Sequence, residues 1–307
     1  MKIEKIAVLT GGDSSEREVS LQTAEAVSAS LTRMKINHDV SELTCYKDLL
    51  DFSFKGYTRT FLALHGGFGE NGMAQAYLEG MKIPHNGPSP QASALCMDKR
   101  LTKYIAKGLG LKTPEHLFFS HARDASFELA NKRFGDRFII KPNGQGCSIG
   151  VSLIHANKGE FENAIETLLP FNESILIEEF IPGQELSVCY FYGHILPIFA
   201  LGFTTNFFSY EAKFLSEDTK CWLADLNKET NYSIQRDCTA MAQALGLDYF
   251  RADIILNNGR THLIELNTLP GLTTHSLFPR ACLEHGVPFD EMVLILNNLK
   301  TARDVVN

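Results

Sequence analysis

Residues 251–267 restrict the fold of this chain more than any other stretch. Arg251-Ala252-Asp253-Ile254-Ile255-Leu256 and His262-Leu263-Ile264-Glu265-Leu266-Asn267 flank Asn257-Asn258-Gly259. Two such runs around an Asn-Gly turn signal a β-hairpin. Side chains alternate along a strand, so Arg251 and Asp253 share one face, as do Glu265 and Asn267. A three-residue loop, Asn257 to Gly259, would pair Leu256 with Arg260 and set Arg251 opposite Glu265. All four polar side chains would then lie on one face, whereas a loop of two or four residues would split them. The pattern therefore predicts an odd loop. Two carboxylates and an amide oxygen on one face repel unless a positive group joins them. Oxygen ligands suit magnesium, which also draws on substrate phosphates. From the hairpin alone, the plainer reading is a solvated face with an Arg251–Glu265 ion pair.

The 307 residues exceed one simple core and point to two or three packed units. The formal charge of -7 lacks the basic footprint of a nucleic-acid binder. No run of about 18 apolar residues is present to span a membrane. Met1 to Ile6 leads straight into a strand pattern and does not read as a signal peptide. Seven cysteines are scattered without a CxxC pair, against a disulfide framework or zinc site. The chain reads as cytoplasmic and reduced, its cysteines serving mostly as small buried hydrophobes.

Strands alternate with helices over residues 1–95. Ile6-Ala7-Val8-Leu9 ends in Gly11-Gly12, and Asp13 or Ser14 caps a helix to about Arg33. Asp13 with Glu16 fits a capping box. Phe61-Leu62-Ala63-Leu64 ends in His65-Gly66-Gly67, and a third short strand falls near Ile83. This is a parallel α/β unit, with ligands expected at the carboxyl ends of its strands. Residues 96–182 begin with Met97-Asp98-Lys99-Arg100 on a helix. Next come the strand Arg137–Lys141, the loop Pro142–Gly150, a strand at Val151–Ile154 and another at Ile175–Glu178. Residues 183–307 carry further strands, a helix near 228–245, the hairpin and terminal helices.

The loop Asn143 to Gly150 holds three glycines behind Lys141. Glycine lets backbone N–H groups approach phosphate oxygens as an anion nest. It is neither a P-loop nor a Rossmann fingerprint. By itself it fits a plain hairpin loop equally well.

Together these segments resemble the D-alanine–D-alanine ligase family of the ATP-grasp superfamily. Gly11-Gly12-Asp13-Ser14-Ser15-Glu16-Arg17-Glu18-Val19-Ser20-Leu21 is similar to its first signature. Leu64-His65-Gly66 through Glu70-Asn71-Gly72, Met97-Asp98-Lys99, Lys141-Pro142 and Glu178-Glu179-Phe180-Ile181 follow in the family's order. Glu265-Leu266-Asn267-Thr268-Leu269-Pro270-Gly271-Leu272-Thr273-Thr274-His275-Ser276-Leu277 is similar to its second long signature. The resemblance covers nearly the whole chain. It implies an α/β and α+β architecture: an ATP-grasp fold preceded by a small parallel-sheet (pre-ATP-grasp) domain.

It also implies roles. ATP would lie between the central and C-terminal units. Lys99 and Lys141 would meet its phosphates under the loop carrying Gly146, Cys147 and Ser148. Glu178, Glu179, Phe180 and Ile181 would hold adenine by backbone bonds, and Glu185 the ribose. Asp253, Glu265 and Asn267 would bind two magnesium ions, with manganese as a possible substitute. Lys213 would reach the γ-phosphate. Arg251 and the Gly271 amide would steady a tetrahedral oxyanion. Glu16 would take the ammonium of a first D-alanine, with His65 near its carboxylate. Ser276 and the Leu277 amide would hold the second carboxylate. Read without the family, Glu16 is half of a capping box, His65 a core histidine and Ser276 a helix N-cap. The implied partners are small molecules, with neither nucleic acid nor membrane, and a homodimer is the family's common state.

The chain departs from the family's pattern in places. Cys147-Ser148 replaces two serines, Lys213-Phe214 replaces Lys-Tyr, and His85-Asn86 replaces Tyr-Thr before Gly87. The usual Tyr, first Ser and Glu16 form a hydrogen-bonded set. Phe214 has no hydroxyl and Cys147 is a weak donor, so that set is expected weakened or absent. This opens a ligase with D-lactate or D-serine as second substrate. An inactive nucleotide-binding relative is the remaining reading, against which stands the full complement of phosphate and metal candidates. Thr204 to Ala224 reads as a lid over ATP.

Overall fold

The computed structural model describes residues 5–202, 220–273 and 275–302. Lys213, Phe214 and most of the expected lid lie outside the described residues. Among the described residues no helix is long and apolar enough to cross a membrane, and no disulfide forms.

The apolar run Ile6–Leu9 forms the middle of a parallel sheet. β1 (Lys5–Gly11) lies between β2 (Asn37–Leu43) and β3 (Arg59–Leu62), with Val8 opposite both Val40 and Phe61. Ile6, Ala7, Val8 and Leu9 are wholly buried, as a strand covered on both faces requires. Gly11 turns at φ +88, where a Cβ would strike the Leu43 carbonyl at 2.3 Å. The expected third strand near Ile83 is a single bridge between Thr60 and His85. Asn86 takes over the pairing with its side chain: Oδ1 accepts from the Leu62 N–H at 2.5 Å and Nδ2 donates to the Leu62 carbonyl.

The helix Arg17–Arg33 follows, but the expected capping box is absent. Glu16 itself occupies the N-cap position and makes no side-chain cap bond. The Ser14 hydroxyl instead accepts from the Glu16 N–H at 3.2 Å and donates to the His65 carbonyl at 2.5 Å. The Glu16 carboxylate is thereby directed away from the helix.

Helices Leu277–Glu284 and Phe289–Leu296 return from the far end of the chain to this sheet. Phe278, Ala281, Met292 and Ile295 join Ile6, Val8, Leu31 and Phe61 in one core. Full burial of each large side chain contributes about 1.5–3 kcal/mol.

The second sheet has the order β4-β7-β5-β6: His116–Phe119, Ile175–Glu179, Phe138–Pro142 and Ser152–Ile154. β5 and β6 are antiparallel, and the glycine loop joins them. Phe138, Phe161 and Phe127 pack edge to face or tilted beneath it. The expected helix through Met97–Arg100 is split in two, Pro90–Met97 and Lys99–Gly108. Asp98 caps the second, its Oδ1 accepting from the Leu101 N–H at 2.9 Å. The break puts Lys99 on the first turn and Lys103 one turn beyond it.

The third sheet runs β11-β10-β8-β12-β13: Lys220–Leu223, Phe199–Gly202, Gln184–Phe191, Tyr249–Asn257 and Arg260–Asn267, with β9 (His194–Ile195) beside β8. Its hairpin corrects the predicted register. The loop has two residues, Asn258 and Gly259, at φ 47 and 75, and Asn257 faces Arg260. Both residues with positive φ are the mark of a type I′ turn, which Asn-Gly favours. Parity is restored farther along. Ile254 faces Leu263 but Asp253 faces Glu265, so Ile264 is an extra residue at a bulge. Asp253 lies opposite Glu265 and Arg251 opposite Asn267. The four polar side chains share a face as expected, through a bulge instead of an odd loop.

Candidate active site

A cavity of about 370 Å³ separates the second and third sheets. Lys99, Lys141, Ser148, Glu178, Glu179, Phe180, Ile181 and Glu185 line it, together with Asp253 and Glu265. Gly146 and Cys147 lie at its N-terminal side, against Glu16.

One wall is built on Glu178, which is 2 % exposed. Its Oε2 meets Lys141 Nζ at 2.9 Å and its Oε1 meets Lys103 Nζ at 3.0 Å. Lys103 also donates to Thr113 Oγ1 at 2.9 Å. Burial works to raise the Glu178 pKa, but the two ammonium groups outweigh it and hold the carboxyl below its usual range. Burial likewise pushes Lys103 down to about 8. Lys103 was not singled out in the sequence, although it recurs four residues after Lys99 on the same helix face. Glu179 turns outward and accepts from the Glu115 N–H at 2.9 Å. Arg137 lies over the Phe180 ring at 4.7 Å.

The opposite wall carries the hairpin's polar face. Arg251 grips Asp253 with two bonds, Nε to Oδ1 at 3.0 Å and Nη2 to Oδ2 at 3.2 Å. The expected Arg251–Glu265 pair is thus replaced by Arg251–Asp253. Glu265 instead meets Lys99 Nζ at 3.4 Å. Asn267 Oδ1 is buried with no hydrogen-bond partner among the described residues. An orphaned amide oxygen beside two carboxylates fits a hard divalent cation. No three His, Cys, Asp or Glu side chains surround a common point among the described residues.

The glycine loop is anchored on three sides. Lys99 Nζ donates to the Gln145 carbonyl, Glu173 Oε2 accepts from the Gly144 N–H at 3.1 Å, and Cys147 Sγ donates to Glu16 Oε1. Cys147 and Ser148 take φ 51 and 59, a left-handed conformation unusual for residues with a Cβ. A carboxylate oxygen of Glu16 lies 2.7 Å from where a Cβ would stand on either Gly66 or Gly146, so a side chain at either position would displace that carboxylate, and Gly66 also has φ +65. Of the Glu16 set expected to be weakened or absent, the Cys147 thiol keeps its place, and Phe214 lies outside the described residues. Burial raises the Glu16 pKa, and the thiol bond opposes the shift.

His65 is buried and both ring nitrogens are used. Nδ1 donates to the Leu269 carbonyl at 2.9 Å, so Nε2 accepts from Thr23 Oγ1 at 2.9 Å. Burial pushes its pKa down to about 4, leaving a neutral ring. The ring thus braces Thr23 against Leu269. Ser276 stands at the N-cap of Leu277–Glu284 without a capping bond. Its Oγ accepts from the Thr273 N–H at 3.1 Å and lies 3.0 Å from an ideal Cβ on Gly271. The Gly271 backbone, Ser276 and the Leu277 amide are thus brought together. Glu70, also missed in the sequence, is buried close to Glu16, and its Oε2 accepts from the Gly66 N–H at 2.6 Å.

The family model for the D-ala D-ala ligase C-terminus matches residues 105–297. The chain belongs to the D-alanine–D-alanine ligase family. It is 34% identical over 292 residues to the D-alanine–D-alanine ligase of Clostridium botulinum (strain Loch Maree / Type A3), covering 94% of this chain and 96% of that protein. The crystal structure of D-alanine–D-alanine ligase from Bacillus anthracis superposes with a TM-score of 0.85 at 31% identity, covering 98% of each chain. The same enzyme complexed with ATP gives 0.84 at 30% identity, covering 99% of this chain and 98% of that one. The VanG D-Ala:D-Ser ligase of Enterococcus faecalis gives 0.79 at 26% identity, covering 96% of this chain and 99% of that one. These likenesses carry the ATP-grasp architecture to this ligase-family chain.

Proposed function

We propose that this family member joins two D-alanines to D-alanyl-D-alanine at the expense of ATP, through a D-alanyl phosphate. One observation carries the reading. Lys99 and Lys141 line the same cavity as Asp253 and Glu265, with the orphaned Asn267 oxygen on the Glu265 side of the hairpin.

ATP binds in that cavity, its phosphates against Lys99 and Lys141 and under the loop of Gly146, Cys147 and Ser148. Backbone groups of Glu178 to Ile181 hold adenine and Glu185 holds the ribose. Asp253, Glu265 and Asn267 hold two magnesium ions, or manganese, which neutralise phosphate charge when bound. Lys213, outside the described residues, reaches the γ-phosphate. Glu16 holds the ammonium of the first D-alanine. A carboxylate oxygen of that substrate attacks the γ-phosphorus and the bond to the ADP oxygen breaks. The deprotonated amine of the second D-alanine then attacks the acyl carbon, and inorganic phosphate leaves. Arg251 and the Gly271 N–H steady the oxyanion between these events. Ser276 and the Leu277 amide hold the second carboxylate at a helix N-terminus.

The three units 1–95, 96–182 and 183–307 divide this work between first substrate, nucleotide and metal. The product serves peptidoglycan precursor synthesis in the cytoplasm, and the enzyme acts as a homodimer.

Phe214 supports a second reading, with D-lactate or D-serine as second substrate. Products formed from D-alanine, D-lactate and D-serine between pH 6 and 9 separate the two. Dipeptide alone at every pH removes the second reading, and depsipeptide or D-alanyl-D-serine as the main product removes the first. The Phe214→Tyr variant is expected to shift any mixed product ratio toward D-alanyl-D-alanine. Phosphate release that does not depend on D-alanine would remove both.

A further inference from the structure

Three buried side chains from the N-terminal part of the chain hold the backbone on which Gly271 sits. Glu70 Oε1 accepts from the Leu269 N–H at 3.3 Å while its Oε2 accepts from Gly66. His65 Nδ1 donates to the Leu269 carbonyl. The Thr23 hydroxyl accepts from the Leu272 N–H at 3.2 Å and donates to His65 Nε2. Leu269 is thus fixed at both its N–H and its carbonyl, and Leu272 at its N–H. Gly271 lies between these fixed points. Thr23, His65, Glu70, Leu269 and Leu272 are all buried.

We propose that Glu70, acting with His65 and Thr23, is the positioning residue that aims the Gly271 N–H at the developing oxyanion. The inference rests on the ligase reading of Gly271. An oxyanion donor acts only when its direction is set before the charge appears, and a shift of about 1 Å costs roughly a hundredfold in rate. A carboxylate suits this task because both its oxygens accept and neither donates. Glutamine at position 70 would keep one bond and set an N–H₂ donor against the other backbone N–H.

The charged surroundings of Glu70 are the Glu16 carboxylate at the helix N-cap and the Arg251 guanidinium on β12, with neutral His65 beside the same turn. Burial, then the Glu16 anion, push Glu70 up to about 8, against the two N–H donors and Arg251. Its ionised form, the one that accepts both bonds, gains population as pH rises through that value.

The test is steady-state kinetics of the full chain with ATP, magnesium and D-alanine from pH 6 to 9, on wild type, Glu70→Gln and Thr23→Val. Thr23→Val keeps the side-chain shape and removes only the hydroxyl. The expected result is a kcat at least tenfold lower in Glu70→Gln and several-fold lower in Thr23→Val. KM for ATP should stay within twofold in both. The acid limb of kcat/KM for D-alanine should move to lower pH in Glu70→Gln, a change that a purely structural role would not produce. Wild-type kcat in both variants, or equal loss in kcat and ATP affinity with an unmoved pH profile, overturns the inference. If Glu70→Gln does not fold, an unchanged kcat in Thr23→Val overturns it alone. An inactive wild type would count against the ligase reading instead.

Discussion

Two buried carboxylates in this molecule have opposite surroundings. Glu178 sits between two ammonium groups, Lys103 and Lys141. Glu70 has two backbone N–H donors and, near it, another buried carboxylate, Glu16. The first is held below its usual pKa and the second is raised to about 8. The wall around Glu178 therefore keeps a net positive charge, two ammonium groups against one carboxylate. Burial pushes both the Glu16 and the Glu70 carboxyl toward the neutral form, and a cation brought beside them would favour their ionised forms.

The largest break in this contrast comes from Glu178→Leu, which strands two buried ammonium groups. It should destabilise the fold by about 3–5 kcal/mol, read from urea unfolding. A loss under about 1 kcal/mol would mean the lysines find other partners. Glu16→Gln removes the charge expected to hold the ammonium. It should cost about 1.5–3 kcal/mol, roughly a ten- to hundredfold rise in KM for the first D-alanine, with KM for ATP unchanged. Equal effects on both constants would count against the assignment.

Stability against pH sharpens the same comparison. Glu70 has a folded pKa above its unfolded value, so the folded state holds the extra proton. Its contribution therefore falls as pH rises from about 4.5 to about 8. Glu178 has a folded pKa below its unfolded value, so its contribution is present at neutral pH and lost in acid. In Glu70→Gln the Tm should decline less between pH 5 and 8 than in wild type. The difference is at most about 1.4 kcal/mol per pH unit. Parallel Tm curves would contradict the shift. The smallest effect is expected for Cys147→Ser, which replaces one donor to Glu16 by another and should leave kcat within about threefold.

Much of the site was readable because its residues fall in local patterns. The hairpin's shared face followed from alternation, Lys141 and the glycine loop followed from strand–loop order, and Lys99 followed from the family resemblance. The register did not follow, because the bulge at Ile264 compensates for a two-residue turn, and the same sequence alternates either way until the bulge is known. Lys103, Glu70 and Thr23 were missed for a different reason. Each meets partners 10 to 249 positions away in sequence. Only Lys103 leaves a periodic trace, four residues after Lys99, and that spacing does not reveal its partners. Asn86 was noticed as a departure, but its imitation of a strand partner for Leu62 depends on tertiary geometry.

The claim at the centre of this account is that a carboxylate oxygen of the first amino acid becomes bonded to the phosphorus taken from ATP. D-alanine labelled with ¹⁸O in its carboxylate tests this directly, by mass analysis of the inorganic phosphate released during turnover. The account predicts one ¹⁸O atom in phosphate for each D-alanyl-D-alanine formed. Unlabelled phosphate accompanying labelled dipeptide would contradict it.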